Sequence, residues 1–327
     1  MESIFETDLE PNPANYVPLS PLSFLRRAER VFPHKIAVTH HDRHYTYQEF
    51  TNRIRRFASA ITAAGIKPGE AVAVLSPNGP VALEAHYAVP LAGCVLAMIN
   101  TLLDAEAVAF ILEHAEAKLF LVDREWAPKA RAALERLSHK PIIVEIADEA
   151  APPGLTLGAP EYEDWIAPHE LAPWRLPAQE WEAIAVNYTS GTTDNPKGVV
   201  YHHRGAYLGA LSVAFMVNLT QDSAYLWTLP MFHCSGWTYT WAVTALGATH
   251  VCLRKVDPAM IFNKISRHNV THMCGAPIVL GMLINAPEGV KHVLERPVSV
   301  AVAGAPPPAQ LLKALRRLVL KSSTSTA

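Results

Sequence analysis

Apolar residues recur along this chain in two rhythms, short unbroken runs and longer stretches spaced by three or four, and their alternation predicts strands separated by helices. Runs at 36–38, 72–75, 94–99, 119–122 and 142–146 read as strands. Between the first two, Thr46 and Glu49 form a capping box, Phe50, Ile54, Phe57 and Ile61 line one face of a helix, and Gly65 provides its stop. Upstream, residues 11–23 hold four prolines and read as an extended strap, with a first helix predicted over 21–31. The apolar segment 81–99 is interrupted by Glu84, His86 and Pro90, so it predicts a core helix running into a strand and no membrane span.

Residues 147–178 hold six prolines and little periodicity, which marks a connection between two halves. Beyond it, 183–186 and 198–201 read as strands on either side of a polar segment. Asp257 and Pro258 open a helix at its N-cap and first turn, and Pro306 to Pro308 open a run through Leu311, Leu312, Leu315 and Leu318. Residues 321–327 read as a disordered tail. The pattern predicts an α/β protein of two halves with mainly parallel sheets flanked by helices: a strap and first hairpin over 1–45, a first half over 46–178, and a second half over 179–327.

Composition narrows this picture. Half the residues are apolar and 18% are charged, below the roughly one-quarter of an ordinary domain, which suits sheets buried on both faces. Formal net charge is −2 and no basic stripe appears, so nucleic acid is excluded as an expected partner. Cys94, Cys234, Cys252 and Cys274 lie far apart, in neither a metal spacing nor a disulfide framework. The first ten residues carry acids in place of a basic leader, and Ser325-Thr326-Ala327 is not a peroxisomal tripeptide. A cytoplasmic location is the resulting expectation.

The chemistry concentrates in Tyr188-Thr189-Ser190-Gly191-Thr192-Thr193-Asp194-Asn195-Pro196-Lys197-Gly198. Hydroxyls and free backbone N–H groups surround phosphate oxygens, glycine lets the main chain approach, and Lys197 supplies a mobile positive charge. A Walker P-loop does not fit: Pro196 stands at its second glycine, Gly198 replaces the hydroxyl that holds Mg²⁺, and a strand follows where a helix is required. A ligand-free Ser/Thr-rich hairpin loop is the plainer alternative.

Ser190-Gly191-Thr192-Thr193-x-x-Pro196-Lys197-Gly198 resembles the phosphate-loop signature of the adenylate-forming enzymes, which include acyl-CoA synthetases, luciferases and peptide-synthetase adenylation domains. Asp194 replaces the usual glycine, and its charge predicts that it points away from a triphosphate. Leu229-Pro230-Met231-Phe232-His233-Cys234-Ser235-Gly236-Trp237 resembles a second landmark of that family, where a strand end delivers a His or aromatic residue beside the acyl group. Ala301-Val302-Ala303-Gly304-Ala305-Pro306-Pro307 resembles a third, a turn lining the acyl and nucleotide pocket. The opening Asn15-Tyr16-Val17-Pro18-Leu19-Ser20-Pro21, with Met231-Phe232-His233-Cys234-x-Gly236-Trp237, is most similar to the plant-type acyl-activating and short- or medium-chain acyl-CoA ligase branch.

The resemblance implies an ATP-dependent, AMP-forming carboxylate–CoA ligase using ATP, Mg²⁺ and CoA, with a short- or medium-chain fatty acid or similar carboxylate as substrate, activated through an acyl-adenylate. It implies phosphate contacts from Thr189, Ser190, Gly191, Thr192, Thr193, Asn195, Pro196, Lys197 and Gly198, and an adenylate site shaped by Gly304, Ala305 and Pro306. Lys197, Thr192 and His233 would act on the reacting groups, and His233, Gly236 and Trp237 would form the acyl pocket. His233 reads alternatively as a core histidine at a strand end, and Trp237, Tyr239 and Trp241 as core aromatics. His202, His203 and Arg204 form a basic cluster whose adjacent imidazoles point to opposite faces of a strand, a poor metal site. His40 and His41 with Tyr45 and Tyr47 read as a polar hairpin only. Family members run longer, through a Tyr-Gly-x-Thr-Glu motif, a ribose-binding Asp and a small domain with a catalytic Lys. A truncated, non-catalytic binding remnant is therefore the rival expectation.

Overall fold

In the computed structural model, β1 (Ile36–His40) and β2 (Arg43–Thr46) form a hairpin, followed by β3 (Ala71–Leu75), β4 (Val95–Met98), β5 (Leu119–Asp123) and β6 (Ile142–Ile146). A second hairpin comprises β7 (Ala183–Thr189) and β8 (Lys197–His202), and β9 (Ala224–Leu226), β10 (Thr249–Val251), β11 (His272–Gly275), β12 (Val298–Val302) and β13 (Leu320–Thr324) follow. The structure describes every residue except 1, 2, 6, 153, 154, 190–195, 292, 293, 295, 303, 305, 318, 319 and 325–327.

The strands form a seven-stranded sheet in the order β13-β12-β11-β9-β10-β1-β2 and a six-stranded sheet in the order β6-β5-β3-β4-β7-β8. Only the hairpins β1–β2 and β7–β8 are antiparallel among these pairings. The predicted architecture is met, with strands exchanged across the Pro-rich connection. β7 and β8 lie beyond that connection yet pair into the sheet of β3 to β6, while β1 joins β10 in the other sheet. A boundary at residue 178 therefore separates stretches of sequence, not sheets.

Helices occupy three layers. Tyr47–Ala63 and Pro80–Leu91 lie between the sheets and pack Phe50, Ile54, Phe57 and Leu83 against Val72 and Leu96 on one side and Tyr225 and Trp227 on the other. Pro258–Arg267 and Pro277–Ile284 cover the outer face of the seven-stranded sheet, and Ala105–His114 and Ala127–Leu134 that of the other. Local sequence explains the starts: the Thr46–Glu49 capping box is present in both directions, and Asp257 accepts a bond from the Met260 N–H. Residues 81–91 of the helix Pro80–Leu91 are all buried, as a helix between two sheets must be.

Several polar residues lie inside and are paired there. Glu84, 0% exposed, accepts from Arg53 Nε at 2.6 Å and from the Tyr162 hydroxyl. The hairpin around His40 is more than a polar surface: His40 is buried and its Nε2 lies 2.8 Å from Asp148, while Tyr47 is fully buried and donates to the Ala248 carbonyl at 2.6 Å. Arg254, just past β10, reaches across to the other sheet, where its guanidinium donates twice to Asp123 at 2.7 Å and also to Asp148 and Glu125. The tail reading is corrected for residues 321–324, while 325–327 lie outside the described residues. Residues 320–324 form β13, parallel to β12 with Val298 opposite Leu320 and Val302 opposite Thr324.

Candidate functional site

The polar segment singled out in the sequence joins β7 to β8 at the carboxyl end of β7. Thr189 and Lys197 face one another as the last pair of that antiparallel ladder, so Lys197 stands at the mouth of the loop. Gly198 pairs with Tyr188, whose ring lies where a side chain on Gly198 would go: a Cβ there would meet the Val186 methyl at 3.1 Å and the Tyr188 ring at 3.4 Å. Tyr188 is held in turn by His114, whose Nδ1 lies 2.8 Å from the phenol oxygen. Thr189, Lys197 and Gly198 are exposed, and Ser190, Gly191, Thr192, Thr193, Asp194 and Asn195 lie outside the described residues.

The second landmark leaves the other sheet. His233 is not at a strand end, because β9 stops at Leu226 and residues 227–232 intervene. That segment is bracketed by Asn78, which follows β3. Asn78 Nδ2 donates to the carbonyls of Trp227 at 2.8 Å and Leu229 at 2.9 Å, and its Oδ1 accepts from the Met231 N–H at 2.7 Å. Thr228 adds a bond from its hydroxyl to the Cys274 carbonyl at 2.6 Å, tying the exits of β9 and β11 together.

After His233 the backbone turns left-handed. Cys234, Ser235, Gly236, Trp237 and Thr238 have φ of 50°, 51°, 60°, 49° and 60°. This conformation costs a non-glycine residue roughly 1–2 kcal/mol, and such strain concentrates at functional sites. Gly236 is required twice over, by its φ and because a Cβ would lie 2.6 Å from the ring of Trp227. That ring cannot retreat, being fully buried and stacked on His250 at 5.9 Å between centroids with Nε1 donating to His250 Nδ1.

The turn borders a small, largely apolar cleft. Val213 and Met216 from the helix His203–Met216, Trp237, Tyr239, Cys274 and Ala301 line it. Burial pushes the Cys274 thiol up to about 12, so that wall carries no charge at neutral pH. Trp237 is half-buried on the cleft; Trp241 is fully buried and donates to the His86 carbonyl, a core residue as its alternative reading had it. His233 is exposed. The third landmark leaves β12 at the same carboxyl edge: Gly304 has φ +89°, it and Pro306 are exposed, and Ala305 lies outside the described residues.

Other predicted candidates have structural roles. His202 ends β8 and accepts from the Gly205 N–H at 2.9 Å, capping the next helix. His203 is the first residue of that helix, buried against Ser20 Oγ at 2.9 Å, and Arg204 pairs with Glu180. Among the described residues no group of three or more His, Cys, Asp or Glu side chains is arranged to hold a metal ion. The sequence reading missed Asn78, Asn187 and Tyr201. Asn187 is the most legible of these, a buried carboxamide within the apolar strand β7. Tyr201 on β8 lies near Cys234 of the turn, and burial together with that thiol pushes its phenol up to about 12.

The chain has counterparts among known proteins. The family described as AMP-binding enzyme matches residues 25–324. The peroxisomal acetate/butyrate–CoA ligase AAE7 of Arabidopsis thaliana is 43% identical over 319 residues, 93% of this chain and 56% of that protein. The peroxisomal trans-cinnamate:CoA ligase of Petunia hybrida is 41% identical over 321 residues, again 93% of this chain and 56% of its own. The chain thus spans about half the length of these curated relatives. The crystal structure of the anthranilate CoA ligase AuaEII with anthranoyl-AMP shares the fold, with a TM-score of 0.84 at 22% identity over 95% of this chain and 61% of that one.

Proposed function

Because the chain belongs to the AMP-binding enzyme family, we propose that it supplies the phosphate loop and acyl cleft of an AMP-forming carboxylate–CoA ligase. The observation that carries this reading is the meeting of two elements. The strand that ends in the Thr189–Lys197 loop mouth also bonds, through Asn187, to the turn bordering an apolar cleft. A carboxylate with its chain in the cleft would present its head group toward that loop, the arrangement needed for attack on the α-phosphorus of ATP. The products of that step are acyl-adenylate and pyrophosphate, and CoA thiolate then displaces AMP.

Lys197 would neutralise charge developing on the leaving pyrophosphate, with Thr189, Ser190, Gly191, Thr192, Thr193, Asn195, Pro196 and Gly198 shaping the loop around the phosphate oxygens. Gly304, Ala305 and Pro306 would border the adenylate, and His233 and Gly236 the acyl carboxyl group. Mg²⁺ fits here as a counter-ion brought with the triphosphate, since it binds chiefly to phosphate oxygens and water and needs few protein ligands. The cleft is small and walled by Trp237 and Tyr239, which favours a short or medium carboxylate. Among the described residues no helix is long and apolar enough to cross a membrane. A cytoplasmic setting remains our proposal, beside relatives whose names place them in peroxisomes.

Lys197→Ala tests the reading. In the protein carried to the length of its relatives, carboxylate-dependent pyrophosphate exchange is expected to fall about ten- to a hundred-fold with the fold intact, the value of one charge-assisted phosphate contact. An unchanged exchange rate would remove Lys197 from the reaction.

A further inference from the structure

Asn187, opposite Val199, lies two ladder pairs before the loop-mouth pair Thr189–Lys197 and is 4% exposed in the apolar strand β7. Its carboxamide is spent on a single residue of the left-handed turn: Nδ2 donates to Ser235 Oγ at 3.2 Å, and the Ser235 N–H donates to Oδ1 at 3.2 Å. A backbone held left-handed through Cys234, Ser235, Trp237 and Thr238 does not keep that shape unaided. Within its own segment it has the Thr240 hydroxyl, which donates to the Ser235 carbonyl at 3.1 Å. From the opposite sheet it has the β7–β8 hairpin, through Asn187.

We infer that Asn187 is a positioning residue that sets the acyl wall from the phosphate loop's own strand. Its two bonds fix Ser235, and Ser235 fixes the turn that carries Trp237 onto the cleft and follows directly on His233. Because Asn187 and Thr189 share one short stretch of β7, the carboxylate's place is referenced to the same rigid element as the phosphates. This assignment rests on the ligase reading. Without it, Asn187 holds a turn; with it, Asn187 sets the distance between acid and nucleotide.

Two measurements separate these levels. In the 327-residue chain Cys234 is half-exposed and Cys94, Cys252 and Cys274 are buried, so thiol labelling with an aromatic disulfide reagent reports on the turn. Asn187→Ala is expected to speed labelling of Cys234 about ten-fold and Ser235→Ala, which keeps the N–H bond, about two- to three-fold, with the buried thiols unchanged. In the protein at its relatives' length, the same variants raise KM for the carboxylate about ten-fold and three-fold, flatten the preference across acetate to decanoate, and leave KM for ATP within about two-fold. Wild-type labelling in Asn187→Ala, or carboxylate and ATP KM values that move together, overturns the positioning role. Should Asn187→Ala fail to fold, the milder Ser235→Ala decides on the same criteria. A wild-type protein that exchanges pyrophosphate with no carboxylate overturns the ligase reading, and with it the role assigned to Asn187 in catalysis, while faster labelling would still show that Asn187 holds the turn.

Discussion

Arg254→Ala is expected to destabilise the protein by about 3–5 kcal/mol, the usual cost of removing one partner from a buried ion pair. Arg254 is 6% exposed at its side chain and faces Asp123 at 1% and Asp148 at 13%. Both carboxylates project from the carboxyl ends of strands in the opposite sheet, β5 for Asp123 and the residues after β6 for Asp148. His40 and Arg254 hold Asp148 well below the usual carboxylate range against the opposing effect of burial. Once the guanidinium is gone, Asp123 loses both of its 2.7 Å bonds from it and stays buried. The check is urea unfolding followed by far-UV circular dichroism. Lys291→Ala serves as the contrast: its exposed partner Glu288 makes a surface pair worth about 0–1 kcal/mol. A midpoint for Arg254→Ala no lower than that of Lys291→Ala would show that the strut between the sheets is not what holds them.

Acid is expected to destabilise the protein from about pH 6.5 downward, before most carboxylates begin to titrate. Three buried histidines fold uncharged: burial lowers His86 and His203 to about 4 and His250 to about 3. Each has a folded value below its unfolded value near 6.5, so the unfolded chain takes up the protons first. Their contribution is whole above about pH 6.5 and is lost as pH falls toward about 4. Three such groups give a slope of about 4 kcal/mol per pH unit over the steep part of that window. The surroundings explain why none stays comfortably charged inside: His86 Nε2 is buried without a partner, and His250 lies between Trp227 and Thr244. Guanidinium unfolding at pH 7, 6, 5 and 4.5 measures the effect. Stability that stays flat down to pH 5 would mean that these imidazoles are hydrated or paired in the folded chain.

Most elements were legible because their signals are local. The capping box at Thr46, the Asp257–Pro258 start and the apolar runs at β3 to β6 each sit within a few residues, and each forms where expected. The position of the polar segment 188–198 was legible for the same reason, as a stretch between two strands that do pair. What escaped depends on distant partners. Residues 320–324 carry too little apolar character to announce a strand, and β12 alone supplies the ladder that makes them one. Nothing local to Asn78 shows that it closes three bonds on residues 227–231. The left-handed turn was equally hidden, since Gly236 is its only glycine and its restraints come from Trp227, Thr240 and the β7–β8 hairpin.

The central claim is that a carboxylate in the cleft is joined to AMP from ATP held at the Thr189–Lys197 loop. The direct test supplies the protein, at its relatives' length, with ATP, CoA and a series of carboxylates from acetate to decanoate, and follows nucleotide and thioester together. The account predicts AMP and acyl-CoA in equal amounts, pyrophosphate exchange that requires the acid, and a maximum among short or medium chains. ADP as the nucleotide product, or exchange that proceeds equally without any carboxylate, would contradict it.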